Sequence, residues 1–206
     1  MSVRPEEDPT PEGRARSRPT LILASASARR RELLARLGIE PARVAAPDID
    51  EAPRPGERPR DYAVRMAREK AQAAASSAEH VLAGDTVVAL GRRILPKTED
   101  EATARRCLEL MSGRRHRVLS AVALRSPDGG LRERLSETVV RFKGLSDKEI
   151  RDYLSAGEWR GKAGGYAIQG SAEGLISWIS GSHSGVVGLP LFETRALLKS
   201  AGFPIG

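Results

Sequence analysis

Ser25, Ser27, Arg29, Arg30 and Arg31 fall within the stretch SASARRRELL, where an apolar run ends and a helical pattern begins. A strand-to-helix turn presents free backbone N–H groups and the positive end of a helix dipole, a setting that suits a phosphate. Serine hydroxyls add donors, and a guanidinium adds a planar fork matched to phosphate oxygens. A basic first helical turn is unfavourable unless an anion arrives. From these residues alone, a polyphosphate socket and a solvated basic turn both stand. Asp85 is a second candidate, because a carboxylate among Val81, Leu82, Val87 and Val88 is costly to bury without a partner or a metal. It is suited to bind Mg²⁺ or to take a proton from water, and equally to make a local turn at a strand end.

Lys70 and Lys97 stand out because lysine is scarce in the chain. Each is a candidate for holding a phosphate charge, and each fits a solvated surface cation as well. Asp48, Asp50 and Glu51 offer hard-cation ligands in a loop where acids also face solvent. The histidines at 80, 116 and 183 show no metal-ligand spacing, and His80 and His116 read as structural. KAGGYAIQGSAEG is rich in glycine, which lets backbone approach a ligand closely. Gly161-Lys162 is not a phosphate-loop motif: Gly157 stands too near, and Ala163 replaces the Ser or Thr that would hold Mg²⁺. No GxSxG nucleophile elbow occurs.

The elements that must position these groups alternate. TLILAS reads as a buried strand and RRRELLARLG as a helix ending at Gly38. APDIDEAPRPGERP is an acidic, Pro-rich loop, followed by a long helix on which Tyr62, Met66 and Lys70 recur every four residues. VLAGDTVVAL reads as a strand interrupted at Gly-Asp-Thr. TEDEATARRCLELMSG predicts a helix with Thr98 as N-cap and Glu101 completing a capping box. HRVLSAVALRS and ETVVRFKGL predict strands joined by a PDGG turn, SDKEIRDYLSAG a helix capped by Ser146, and LPLFETRALLKSAG a closing helix. The fold expected is α/β, with a mixed twisted sheet flanked by helices.

At 206 residues the chain is long enough for a substantial core. Its formal charge of +7 comes from 28 Arg and 6 Lys against 27 acids, which permits an anionic partner. Aromatic content of 4% gives little material for stacking single-stranded nucleic acid and argues against that partner. The single cysteine, Cys107, excludes a disulfide framework within the chain and reads as a packed thiol. No window approaches a membrane span and the N-terminus has no signal-peptide core, so a cytoplasmic location is expected. Residues 1–18, rich in Pro, Glu and Arg, are expected to form a disordered extension, with one domain over 19–206.

Taken in order, SASARRRELL, DIDE, REKA, AGDTVV, LPKTEDEA, LMSGRRHRV, ETVVRF, KAGGYAIQG and VVGLPL resemble the Maf family of nucleoside triphosphate pyrophosphatases, from about Leu21 to Gly202. The resemblance implies two lobes around a cleft in a Maf/ITPase-like fold. It further implies hydrolysis of a nucleoside triphosphate to the monophosphate and pyrophosphate, with a divalent cation (Mg or Mn), and allows for a homodimer. It makes Asp85 either the general base or, with Glu51, a ligand of the metal, and places Ser25, Arg29, Arg30, Glu51, Lys70 and Lys97 around the triphosphate and metal. Arg29, Thr86 and Gln169 match the branch acting on dTTP and UTP rather than the one acting on 7-methyl-GTP. A glutamine amide offers a donor and an acceptor, which suits the imide edge of uracil or thymine. The chain departs from the family pattern at Ala28 and Thr98, where proline is usual, and at residues 183–185. Losing a pre-set turn at Ala28 loosens the loop by up to ~1 kcal/mol. A 7-methyl-GTP or broad modified-nucleotide pyrophosphatase is the second enzyme reading, and a basic nucleic-acid-binding or division-regulating protein is the rival from another class, predicting strongly salt-dependent binding.

Overall fold

The computed structural model describes residues 19–205, so the extension expected over residues 1–18 lies outside the described residues. The apolar run Leu21–Leu23 forms β1 and is followed by α1 over Ala28–Ala35. A short β2, Arg43–Val44, precedes α2 over Pro59–Ala73. The long β3, His80–Leu90, and the short β4, Arg93–Leu95, lead into α3 over Glu101–Met111. Then come β5 (Arg115–Arg125), β6 (Leu131–Phe142) and α4 (Asp147–Ser155). A 3-10 turn over Ser171–Leu175 leads to β7 (Ile176–Ser180), α5 (His183–Val187) and α6 (Leu191–Ser200).

The strands make one mixed sheet in the order β2-β1-β3-β5-β6-β7, with β4 alongside β3. Alternation along β3 decides which face each residue serves. Val81, Ala83, Val87 and Ala89 pack with Tyr62, Ala63 and Met66 of α2 on one face. The recurrence of Tyr62, Met66 and Lys70 every four residues puts all three on the buried side of α2. On the opposite face, Leu82 meets α1 and α6 through Leu34 and Leu198, whereas Val88 meets α3 and α4 through Leu108 and Leu154. Those two clusters are the apolar centres of two lobes, and α5 lies between them.

β3 is not interrupted at Gly84-Asp85-Thr86: all three pair with β5, opposite Val122, Ala121 and Ser120. The break falls on its other edge. There β1 pairs with residues 80–82 and β4 with residues 88–90, so no described strand covers 83–87 on that side. A cleft opens at this gap.

Local signals hold in most places. Ser146 and Glu149 form the expected capping box, the β5–β6 hairpin forms across the PDGG turn, and Cys107 is buried. Burial pushes the Cys107 thiol up, which keeps it protonated and inert. Thr98 is not the cap of α3. Asp100 takes that role, accepting from Thr103 N, while Thr98 is buried and donates to Trp159 O at 2.7 Å. A long-range bond has drawn the threonine away from the helix. Ala28 is the first residue of α1, with Ser27 as cap, so alanine there leaves the helix start intact.

Candidate active site

Asp85 faces α2 from the middle of β3, where its neighbours on that face, Ala83 and Val87, are apolar and buried. It is only 4% exposed, and its charge is met by Lys70, whose Nζ stands 2.7 Å from Oδ1. Burying this carboxylate without that ammonium would be strongly unfavourable. Nothing among the described residues hydrogen-bonds Asp85 Oδ2. Lys70 Nζ also lies 3.0 Å from Glu51 Oε1, and Lys97 Nζ lies 2.9 Å from Glu51 Oε2. The two carboxylates and two ammonium groups thus alternate in a chain, Asp85–Lys70–Glu51–Lys97. Burial pushes the Glu51 carboxyl up, but the bonds from Lys97 and Lys70 outweigh it and leave its pKa lowered. Tyr62 fixes the Glu51 loop by donating to the Glu51 carbonyl at 2.8 Å. Burial, then the charges of Asp85 and Glu51, push that phenol up to about 12, so it remains a donor.

The opposite wall is the β1–α1 turn. Ser27 caps α1, and the first turn of the helix contains no acidic residue. Arg30 reaches back to donate from Nε to Gly188 O at 2.9 Å and from Nη1 to Ser25 Oγ at 3.0 Å. Burial pulls its guanidinium below the ordinary arginine value. Thr86, on the face of β3 away from α2, has its hydroxyl 2.9 Å from Ser120 Oγ, which itself donates to Gly185 O.

The third wall is the segment after α4. Ala163 bridges to Lys97, and Gly164 adopts φ +68 with Val88 pressed against it. A Cβ on Gly164 would stand 2.9 Å from Val88 Cγ1, so only glycine brings the loop this close to β3. Tyr166 is pinned behind the cleft by a 2.8 Å hydrogen bond with the buried His116, and Gln169 stays exposed.

Ser25, Arg29, Arg30, Glu51, Lys70, Asp85, Thr86, Lys97 and Gln169 all line one cleft of about 480 Å³. Asp48, Asp50, Arg31 and the histidines do not line it. His116 instead stacks on Phe142, and His80 meets Phe203 edge-on, both structural as expected. Sequence reasoning missed Lys162 and the Val186–Gly188 wall, which also line the cleft. Gly161-Lys162 had the composition of an anion loop but not its spacing, and only the fold brings that lysine to the cleft.

A divalent cation fits the donor set. Glu51 and Asp85 each lie within 3.0 Å of Lys70 Nζ, so the two carboxylates are near enough to share one positive charge. Mg²⁺ commonly takes one or two protein carboxylates and completes its shell with water and substrate phosphates. No group of three or more His, Cys, Asp or Glu that could hold a metal ion occurs among the described residues.

Fold and cleft together define an α/β protein built around a pocket lined by more basic than acidic residues, with a buried carboxylate at its floor. The chain belongs to the Maf-like protein family, whose pattern it matches over residues 20–201. It is 70% identical to the dTTP/UTP pyrophosphatase of Novosphingobium aromaticivorans over 189 residues, covering 91% of this chain and 94% of that protein. The protein of the same name from Sphingopyxis alaskensis is 61% identical, covering 91% of this chain and 100% of the relative. Among solved structures, the Ham1 protein of Staphylococcus aureus is 15% identical and covers 60% of this chain and 71% of that chain, at a TM-score of 0.42. No described helix is long and apolar enough to cross a membrane.

Proposed function

We propose that this chain hydrolyses dTTP and UTP to the nucleoside monophosphate and pyrophosphate, as a cytoplasmic enzyme dependent on Mg²⁺ or Mn²⁺ that serves nucleotide-pool sanitation or division-linked control. The observation that carries the reading is Asp85, a buried carboxylate at the floor of a cleft whose other charged residues are five cations and Glu51. Its Oδ2 is available to orient the attacking water and accept its proton, while Lys70 holds Oδ1 in place. Water adds to phosphorus, the anhydride between the α- and β-phosphates breaks, and pyrophosphate leaves with the bridging oxygen. Ser25, Arg29 and Arg30 orient the phosphate chain at the N-terminus of α1, and Lys97 offsets its charge from the other wall. Glu51 and Asp85 would hold the cation, which supplies charge neutralisation at the phosphate oxygens. Gln169 is exposed at the cleft and its amide carries no hydrogen bond among the described residues, which leaves both its donor and its acceptor for a pyrimidine imide edge.

A pyrophosphate-release panel over purified nucleotides, with and without Mg²⁺ or Mn²⁺, tests the reading. Turnover of dTTP and UTP ahead of other nucleotides is expected, with Asp85→Asn losing at least about 100-fold in kcat. Failure of the wild type to turn over any nucleotide, or undiminished turnover by Asp85→Asn, would overturn it.

A further inference from the structure

The cations that line the cleft are Arg29, Arg30, Lys70, Lys97 and Lys162, against the acids Glu51 and Asp85. Three of these cations already have structural duties. Lys70 bridges Asp85 and Glu51, Lys97 pairs with Glu51, and Arg30 ties Ser25 to Gly188. Arg29 and Lys162 are different: among the described residues neither has a carboxylate partner. Among the described residues the only bond from the Lys162 ammonium goes to the Arg160 carbonyl, at 3.2 Å. That is a single neutral acceptor for a group with three donors.

Position makes this lack of a counter-charge meaningful. Arg29 stands on α1, one wall of the cleft, and Lys162 stands on the segment after α4, the facing wall. The lysine's backbone is clamped, its carbonyl accepting from Thr98 N at 3.1 Å and Gly165 N at 3.1 Å. The chain therefore fixes the root of Lys162 beside the cleft without giving its ammonium an ion pair among the described residues. Burial, then the charge of Arg29, pulls the Lys162 ammonium below the ordinary lysine value, against a smaller opposing effect of Glu158, so the two like charges feel each other. An anion entering between them relieves that repulsion. A solvated surface lysine would show neither the burial nor the opposing arginine.

We infer that Lys162 is a further substrate-binding residue, gripping the phosphate chain from the wall opposite Arg29. The inference rests on the reading of the cleft as a nucleoside triphosphate site, and it assigns a phosphate contact to a loop otherwise associated only with base selection through Gln169. Two cations on opposite walls also make phosphate binding depend on both lobes, in contrast to a socket made by the helix N-terminus alone.

Isothermal titration of the intact chain with inorganic tripolyphosphate, at fixed Mg²⁺, tests this without any turnover. Lys162→Gln is expected to weaken tripolyphosphate binding about tenfold, and Lys162→Arg to recover most of it. Arg160→Gln, which removes a neighbouring cation outside the cleft, is expected to bind as the wild type does. Unchanged affinity in Lys162→Gln, an equal loss in Arg160→Gln, or no binding by the wild type would overturn the inference. Its failure is separable from that of the proposed activity. A wild type that hydrolyses UTP while Lys162→Gln binds tripolyphosphate normally sinks only the role of Lys162. A wild type that binds tripolyphosphate through Lys162 but hydrolyses no nucleotide sinks only the activity.

Discussion

Three consecutive arginines occupy three different environments, and each therefore has its own expected phenotype. Arg29 is half-buried, lines the cleft and has no partner among the described residues, so the proposed phosphate contact would not compete with a structural one. Arg30 also lines the cleft but spends two donors on Ser25 and Gly188, tying α1 to the end of α5. Arg31 is exposed and points away from the cleft. Arg29→Ala should lower kcat/KM by about 10- to 100-fold with little change in melting temperature, because a charge-assisted bond is worth roughly 1.5–3 kcal/mol. Arg30→Ala should lose activity and stability together, and Arg31→Ala should stay within ~0.5 kcal/mol of wild type. Steady-state kinetics and thermal melts on the three variants separate these outcomes; equal losses at all three would reduce the stretch to a basic patch. Lys70 supports a second test. With its ammonium between Asp85 and Glu51, Lys70→Met leaves two carboxylates facing each other, at a cost of about 3–5 kcal/mol. Millimolar Mg²⁺ or Mn²⁺ should restore part of the lost melting temperature in the variant and move the wild type little. A variant insensitive to the cation would argue that the two carboxylates do not form its site.

At the scale of elements, what was legible in the sequence divides by the distance over which partners act. The Ser146–Glu149 capping box, the buried face of α2 and the β5–β6 hairpin all depend on residues close together in the chain, and the sequence pattern suffices for each. The continuity of β3 was not legible, because Gly84-Asp85-Thr86 breaks a local pattern that only pairing with β5 overrides. The cap of α3 was misplaced for a similar reason: Thr98 is claimed by Trp159, 61 residues away in sequence. Family motifs named the cleft residues individually; the alternation of charges among Asp85, Lys70, Glu51 and Lys97 exists only once α2, β3 and two loops meet. The contact between β5 and the loop behind the cleft has a consequence of its own. His116 is 2% exposed, bonds Tyr166 through Nε2, and leaves Nδ1 with no partner among the described residues. Burial holds its pKa down to about 4, against an ordinary value of 6.5. The folded state thus binds fewer protons than the unfolded one between those values, and stability falls as pH drops from about 6.5 towards 4, by up to about 3 kcal/mol. His80, also lowered by burial, adds to the same slope, whereas Glu57 and Glu149, held at about 2, matter only below the ordinary carboxylate range. Urea unfolding between pH 7.5 and 5 should show this slope in wild type. It should be clearly flatter in the double variant His116→Leu, Tyr166→Phe, which removes the histidine without stranding the phenol. Parallel slopes would show that His116 is not the group responsible.

At the scale of the whole molecule, the sheet is continuous while the helices on its cleft-bearing face fall into two groups. Leu82 and Val122 belong to the apolar cluster with α1 and α6, and Val88 and Val118 to the one with α3 and α4. The cleft draws Ser25, Arg29 and Arg30 from the first group, and Lys97, Lys162 and Tyr166 from the segments packed with the second. A triphosphate bound there bridges both lobes across the uncovered edge of β3, so its binding energy should appear as stability of the whole chain rather than of one lobe. For a ligand that binds only the folded state, saturation at 100 times Kd adds about 2.7 kcal/mol. In a chain of this size each kcal/mol raises the melting temperature by about 2–4 °C, giving roughly 5–10 °C in all. Asp85→Asn is the form to melt, since it is expected to bind UTP without consuming it. UTP should raise its melting temperature by that amount and UMP, lacking the bridging phosphates, by much less at equal concentration. Hydrogen exchange of the same complex should gain protection both at residues 24–30 and at residues 161–170, with β7 unchanged. Protection confined to residues 24–30 would mean that the helix N-terminus holds the phosphates alone, and equal shifts with UTP and UMP would mean that the phosphate chain is not what joins the lobes.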